Sequence, residues 1–564
     1  MTRVLSAFSY GHGGLGVCLI ALAAGYFLPA SRLWDRKAKV LLLWLCAVVC
    51  AAMITELFLT TAYLFSPAYI DHIEASVASN VHALLDGHPL YPSPDSYTFG
   101  GLLYGPVLAE LNSLGYLLLG DSVAAKIVGW LAGWAAVIML IVQSLRRGAG
   151  TGTGIASVVA LSYSLCFLIS FGVDLVDRAE PLLLLLATCS LVIALNLKGL
   201  PGLTFLGLLC GGAMGLKVHA VLYMVPSLYL WARGLPLQQW RQQWMALTTC
   251  FCGAAALALI LPFLPANVSP AGYLRYLTLA AKHGLSIDIF GRNCVFLLGL
   301  WAPILLLGGG WSELRRARGA WLGACLTHGR LLRPARSGIA GDRPRDGAHE
   351  SHRLLGFVLA LFASECVVLV LASKPGAGSH HFIPFLAAHV FLFQDSYAHT
   401  TPAAPGRAAL ALLVAVLGMV TPTLQNFSSL IAFDLRLPEQ KQQRDELLGF
   451  ATRFPHGMLG VSGDSSYELT NFRPWLTARG VLQTDYGAFM DLELSGVTDE
   501  PLRSALQRCE TPFVYIPKPG EPFTVTSYYR GRPLFSDTLR QQFTVSYARV
   551  ESGIYFDVFA CRPG

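Results

Sequence analysis

Apolar residues in this chain fall in long runs rather than in alternation. Runs lie near 14–30, 40–65, 123–143, 152–172, 180–197, 200–216, 218–232, 245–264, 293–309, 354–372, 379–396 and 407–424. A hydrocarbon core of about 30 Å takes about 20 helical residues, so the pattern predicts about twelve transmembrane helices, in a range of about 11–13. The run 102–119 (LLYGPVLAELNSLGYLLL) is different: Glu110, Asn112 and Ser113 in its middle are expensive in lipid, which favours an interfacial or re-entrant helix. The first run lacks a strongly basic leader and is followed by Arg32, Arg36, Lys37 and Lys39, so it reads as a retained helix rather than a cleaved signal.

The positions of the charges orient these helices. Arg32 to Lys39, Arg146, Arg147, Lys198, Arg233, Arg241, the Arg-rich stretch 315–353 and Arg407 all become cytoplasmic under the positive-inside rule if 102–119 does not cross. The exoplasmic segments are then 66–122, 173–179, the turn at Lys217, 265–292, 373–378 and everything after about 425. Composition agrees: the 564 residues are 54% hydrophobic and 13% charged, against about 25% charged in soluble domains. A soluble enzyme is excluded, and a net charge of +7 spread in this way does not imply a nucleic-acid partner.

Two pieces have a different composition. Residues 310–353, rich in Arg, Gly and Pro, read as a flexible cytoplasmic segment near anionic lipid. Residues 430–564 begin with a charged helical stretch (PEQKQQRDELLGFATRF) and continue through β-rich runs such as PFVYIP and IYFDVFAC, which predicts a small exoplasmic α/β domain. The fold class expected is therefore an α-helical polytopic membrane protein: a transmembrane module over 1–429 and a soluble domain over 430–564. Of thirteen cysteines, Cys46, Cys50, Cys166, Cys189, Cys210, Cys250, Cys252 and Cys366 lie in apolar runs without metal-ligand spacing and read as buried small hydrophobes. Cys509 and Cys561, alone in the soluble domain, can pair in an oxidising compartment.

The ionisable residues that need explaining gather on the exoplasmic side. Loop 66–101 holds Asp71, Glu74, Asp86 and Asp95 with no Lys or Arg. Asp71 and Glu74, three apart at the start of an amphipathic helix, can serve as a general base or hold a divalent cation, Mg or Mn; acids that merely favour a helix N-terminus are the plainer reading. In FGVDLVDRAEP, Asp174, Asp177, Arg178 and Glu180 crowd the mouth of a span, where an ion pair of Arg178 with a neighbouring carboxylate competes with a polar cavity. Lys217, His219, Lys282, His283, Lys374, His380 and His381 place cationic donors on the side where positive charge is disfavoured, and the glycines of KPGAG permit close backbone approach. Snorkelling explains any single lysine; a phosphate ligand explains the set.

An acidic first loop running into GHPLY and LLYGPVL, RAEP opening a span, GLKVH, KPGAGSHHFIPF and a soluble tail resemble the GT-C superfamily of membrane glycosyltransferases, relatives of protein O-mannosyltransferases and lipid A aminoarabinose transferases. The resemblance implies an enzyme that transfers a sugar from a polyprenyl-phosphate donor to an acceptor glycan, lipid or protein on the exoplasmic face. It puts Asp71 in the place of the first-loop catalytic carboxylate with Glu74 as alternate, and makes Glu180 a cavity carboxylate. Lys217, Lys282, His283 and Lys374 become carrier-phosphate ligands. Arg178, Tyr104, His219, His380 and His381 join the substrate-binding set. One departure is that His72 and Ile73 separate two acids that relatives often have adjacent.

A transporter or flippase for a lipid-linked or anionic substrate is the competing reading, but it calls for ionisable residues near the midplane and for repeat symmetry, and no repeat is visible. A non-catalytic scaffold leaves the acidic loop and the cationic set unexplained. The sequons at Asn267 and Asn426 carry little weight beside the general style of the chain, which favours a bacterial inner membrane with a periplasmic C-terminal domain.

Overall fold

The computed structural model describes residues 44, 47, 51, 53–55, 57–66, 68–99, 104–119, 124–147, 176–235, 237–307, 345–400, 405–463 and 473–562. The runs at 14–30 and 152–172, most of 40–52, and Asp174 lie outside the described residues.

Six described helices are long and apolar enough to cross a membrane: Ala124–Arg146, Ala179–Asn196, Gly199–Leu216, Gln242–Phe263, Ile287–Leu306 and Leu354–Leu371. Two of the predicted spans are instead broken. Run 218–232 divides into a 3-10 turn, Val218–Met224, and a helix, Val225–Arg233, with Pro226 at its start. Run 379–396 divides into a 3-10 turn, Ser379–Phe385, containing Pro384, and a helix, Leu386–Thr400. In both, a proline without an amide hydrogen falls where a continuous helix would need one. Helix Pro106–Leu119 has 14 residues, about 21 Å of rise against about 30 Å of hydrocarbon, and exposes Leu114, Leu117, Leu118 and Leu119.

Residues 308–344, most of the segment 310–353, lie outside the described residues; from Arg345 the chain is the opening of helix Arg345–Leu371. Helix Pro405–Arg453 is continuous over 49 residues, about 74 Å, so the apolar run 407–424 and the charged stretch that follows share one rod across position 429/430. Not every cysteine in an apolar run is buried. Cys210 is, whereas Cys252 and Cys366 are exposed on outward helix faces, where an apolar thiol suits a lipid-covered surface.

After Met458 the chain forms a five-stranded sheet in the order β2-β1-β3-β5-β4, from β1 (Met458–Leu459), β2 (Leu482–Gln483), β3 (Phe513–Pro517), β4 (Tyr547–Ser552) and β5 (Phe556–Cys561). β1 runs parallel to β2 and β3, while β5 runs antiparallel to β3 and β4. Short helices cover it. Glu446 on the long helix accepts from the amides of Ile554, Tyr555 and Phe556 in the β4–β5 hairpin, each at 2.9 Å, which ties rod and sheet together.

Most of the described buried apolar residues fall into two large groups. One fills the helical bundle with residues such as Leu183, Leu206, Leu300, Leu361 and Phe393. The other is shared by the first loop and the sheet domain: Tyr69, Ala75, Ala78, Leu90 and Phe99 pack with Met458, Phe489, Val514 and Leu539. Phe99 stacks on Phe489 with ring centroids 4.1 Å apart. The loop is thereby clamped between bundle and domain.

Cys509 and Cys561 are joined, closing a sequence separation of 52 residues. A crosslink over such a loop stabilises by about 2–5 kcal/mol. The double substitution Cys509→Ser, Cys561→Ser should therefore lower the Tm of the detergent-solubilised protein, and reduction of the wild type should reproduce the shift.

Candidate active site

At one end of the bundle four segment ends converge. Helix Ala179–Asn196 begins there after Arg178, and helix Gly199–Leu216 ends there at Lys217. Helix Ile287–Leu306 begins beside the end of Arg345–Leu371, where Asn293 donates to the Ala372 carbonyl at 2.8 Å and the Ser286 amide to the Ser373 carbonyl at 2.8 Å. The first loop lies across these ends.

Asp71 directly precedes helix His72–Leu85 but makes no capping bond with its side chain. It forms an ion pair with Arg178, 107 residues away in sequence, and its other oxygen lies 3.1 Å from His72 Nδ1. Arg178 thus pairs across the fold and not with an acid beside it in sequence. Burial by itself would raise the Asp71 carboxyl; the Arg178 guanidinium and His72 outweigh it and hold it well below the usual carboxylate range.

Glu74 faces the other way, into the protein. It is fully buried, accepts from the Tyr63 hydroxyl at 2.6 Å and from the Asp177 amide at 3.1 Å, and so braces the loop against the mouth of the span. Beneath it Lys126, fully buried, donates to the carbonyls of Tyr63 (3.2 Å), Ser66 (3.0 Å) and Ala68 (2.6 Å). Burial raises the carboxyls of Glu74 and Asp177, the latter to about 8. The four oxygens of Asp71 and Glu74 each already accept from a donor, and among the described residues no three His, Cys, Asp or Glu groups are set to hold a metal ion.

The second ion pair is Glu180 with Lys217, whose side chains are 1% and 7% exposed. His380 Nε2 lies 3.9 Å from the same Glu180 oxygen. His381 Nδ1 meets His219 Nε2 at 3.3 Å, and His219 in turn meets the Tyr223 hydroxyl at 3.3 Å. Lys217 sits 5.1 Å from the centre of the Tyr104 ring. The YGP and GLK motifs can meet because both are glycine-bearing: a Cβ on Gly105 would collide with the Gly215 carbonyl, and the Gly105 amide donates to Leu216 at 2.8 Å.

Asp71, Arg178, Glu180, Lys217, Tyr104, His219, His380 and His381 thus form one cluster. Lys374 stands at its edge, donating to the Ala280 carbonyl at 3.3 Å. His283 is half-buried against the Asp491 backbone, and Lys282 is exposed. A site of this kind offers an ionised carboxylate and two buried cations, each cation held by an acid that an incoming anion can replace.

No family model matches the sequence, and neither does any curated protein. Solved structures do match: the crystal structure of ArnT from Cupriavidus metallidurans bound to undecaprenyl phosphate superimposes with a TM-score of 0.53 at 11% identity, covering 92% of this chain and 98% of that one. The fold is that of ArnT. The apo form of the same protein gives a TM-score of 0.52 at 12% identity, covering 92% and 97%. ArnT is a lipid A aminoarabinose transferase of the GT-C family, the superfamily that the motifs resemble. At such identity the ArnT likeness is one of fold, and the two short motifs GLKVH and RAEP are what bring the paired charges of this chain together within it.

Residues from the C-terminal domain also reach this end of the ArnT fold, and no motif announces them. Arg473 pairs with Asp485 and donates to Ser76 on the first-loop helix at 2.6 Å. The Tyr529 hydroxyl donates to Asp491 Oδ1 at 2.8 Å.

The raised carboxyls of Glu74 and Asp177 have a pH consequence. A folded-state value above the unfolded one gives stability that is full below about pH 4 and lost as pH rises through the folded value. The Tm of the wild type should fall between pH 5 and pH 9, and Asp177→Asn should flatten that fall; an unchanged slope would remove Asp177 as its source.

Proposed function

We propose that this protein is an integral-membrane glycosyltransferase that takes a sugar from a polyprenyl-phosphate donor and transfers it to an acceptor glycan, lipid or protein on the exoplasmic face. The observation that carries the reading is the double ion pair, Asp71 with Arg178 and Glu180 with Lys217, buried at one end of a bundle with the ArnT fold. ArnT has been solved with undecaprenyl phosphate bound, which supports a polyprenyl phosphate as the lipid partner here.

The chemistry follows from the charges. A phosphate entering between the helices draws Arg178 and Lys217 toward it, and both cations then stabilise the charge that develops as the sugar–phosphate bond breaks. His219, His380 and His381 line the Glu180–Lys217 side and add polar contacts there. Release of Arg178 frees Asp71, the carboxylate on which activation of the acceptor depends. The distribution of basic residues supports an exoplasmic position for this end, and the reading takes the membrane to be a bacterial inner membrane with the sheet domain in the periplasm.

A transporter draws support from one feature, the pair His389 and Glu365, 2.5 Å apart and fully buried within the bundle. Transport would leave no covalent product, so a transfer assay separates the two readings.

With undecaprenyl-phosphate-linked sugars as donors, Asp71→Asn should lower transfer by about 10²–10⁴-fold with the protein still folded; near-normal transfer would remove Asp71 from the reaction. Removing Lys217 alone would strand Glu180, a loss of about 3–5 kcal/mol. The paired change Glu180→Gln with Lys217→Met avoids this and should raise the KM for donor. A cysteine placed within 320–350 should be labelled only from the cytoplasm.

A further inference from the structure

A glycine marks where the sheet domain meets the loop that leads to the site's histidines. Gly376, in KPGAG, lies between the span Leu354–Leu371 and the 3-10 turn Ser379–Phe385, and its φ is +79°. A Cβ there would lie 2.6 Å from the Tyr529 hydroxyl oxygen and 3.1 Å from Asp491 Oδ1. Two polar groups of the C-terminal domain thus occupy the place of a side chain at 376, in a backbone conformation that favours glycine. They are bonded to each other, Tyr529 donating to Asp491 Oδ1 at 2.8 Å.

Both groups are held firmly. Asp491 belongs to helix Tyr486–Leu494, which is tied to the first loop by the stacking of Phe489 on Phe99 and by the bond from the Asp485 amide to Thr98. Just past the end of that helix the Ser495 hydroxyl donates to the Leu279 carbonyl at 2.8 Å. Tyr529 lies in a segment closed by the bridge between Thr526 and Pro533. Arg530 and Arg532 in this segment pair with Glu493, at 2.8 and 3.2 Å. One helix therefore grips the segment twice, Asp491 taking the hydroxyl and Glu493 the guanidiniums. The bundle holds the start of the loop: the Ser286 amide donates to the Ser373 carbonyl, and Lys374 to the Ala280 carbonyl. Beyond Gly376 the chain passes to His380, beside Glu180, and to His381, against His219.

Resting on the glycosyltransferase reading above, we propose that Tyr529 and Asp491 are positioning residues for the donor: packed against Gly376, they set the course of loop 374–378 and with it the place of Lys374, His380 and His381 around the Glu180–Lys217 pair that answers to the carrier phosphate. Neither residue touches the reacting atoms, so their effect falls on donor affinity. The contact involves neither Arg178 nor Lys217, so the turn of those cations toward phosphate leaves it in place. The C-terminal domain is then part of the donor site, which a role in docking alone would not require.

The test uses the full-length protein reconstituted with an undecaprenyl-phosphate-linked sugar that the wild type transfers. Tyr529→Phe, which deletes one oxygen, and Asp491→Asn should each raise the donor KM about tenfold, with the acceptor KM within about twofold and Tm unchanged. Gly376→Ala should raise the donor KM as well, and combined with Tyr529→Phe it should be no worse than the more affected single variant, because both act on one contact. A donor KM within about twofold of the wild type in both Tyr529→Phe and Asp491→Asn, whether or not Tm falls, would overturn the positioning role while leaving the transferase reading intact. Effects of Gly376→Ala and Tyr529→Phe that simply multiply would overturn it too. Absence of transfer by the wild type from any such donor would overturn the glycosyltransferase reading itself, and this role with it.

Discussion

Charge cannot stand alone in a low-dielectric interior, and this constraint organises the whole end of the bundle. Arg178, Lys217, Glu180 and Asp71 all sit where water is scarce, with side chains 1–15% exposed. A buried ion without a partner costs several kcal/mol, so each is held only because an opposite charge reaches it from a distant part of the chain. Asp71 comes from the first loop, Lys217 from the end of one span, and Arg178 and Glu180 from the start of another. The pairs are costly to bury and gain little as a source of stability, which is the energetic profile of groups kept for exchange with a charged ligand.

Such exchange needs a rigid frame, and the surrounding packing provides one. Glu74, Tyr63, Lys126 and the Asp177 amide brace the loop from beneath. From above, Arg473 and Asp485 fasten the loop helix to the sheet domain, and the Asp485 amide donates to Thr98 at 2.8 Å. The apolar core shared by Tyr69, Phe99, Phe489 and Val514 makes the loop part of the domain as much as of the bundle. The buried cations thus belong to the helix ends, and the first loop is held where bundle and domain meet.

Much of this was legible because lipid imposes long apolar runs, and the runs at 180–197, 200–216 and 354–372 return as helices with nearly those limits. Hydropathy could not show that Pro226 and Pro384 break two further runs, since apolar content is the same on either side of a break. Asp71, Arg178, Glu180 and Lys217 stood out as charges in apolar surroundings, yet which acid meets which base was not visible, because pairs separated by 107 and 37 residues depend on packing. Glu74 was read beside Asp71 by spacing alone; three residues along a helix is enough to turn one carboxylate to the cleft and the other to the core. Lys282, one residue from His283, has the sequence signature of a phosphate ligand and lies exposed.

The central claim is that the paired cations of this site answer to a polyprenyl phosphate. Thermal unfolding of the delipidated protein, measured in detergent against increasing undecaprenyl phosphate, tests it most directly, because a ligand that binds only the folded state must raise Tm as its concentration rises. The account predicts a saturable rise that inorganic phosphate at the same concentration does not reproduce and that Arg178→Gln paired with Asp71→Asn abolishes. A Tm that undecaprenyl phosphate leaves unmoved, or moves equally in that variant, would contradict it.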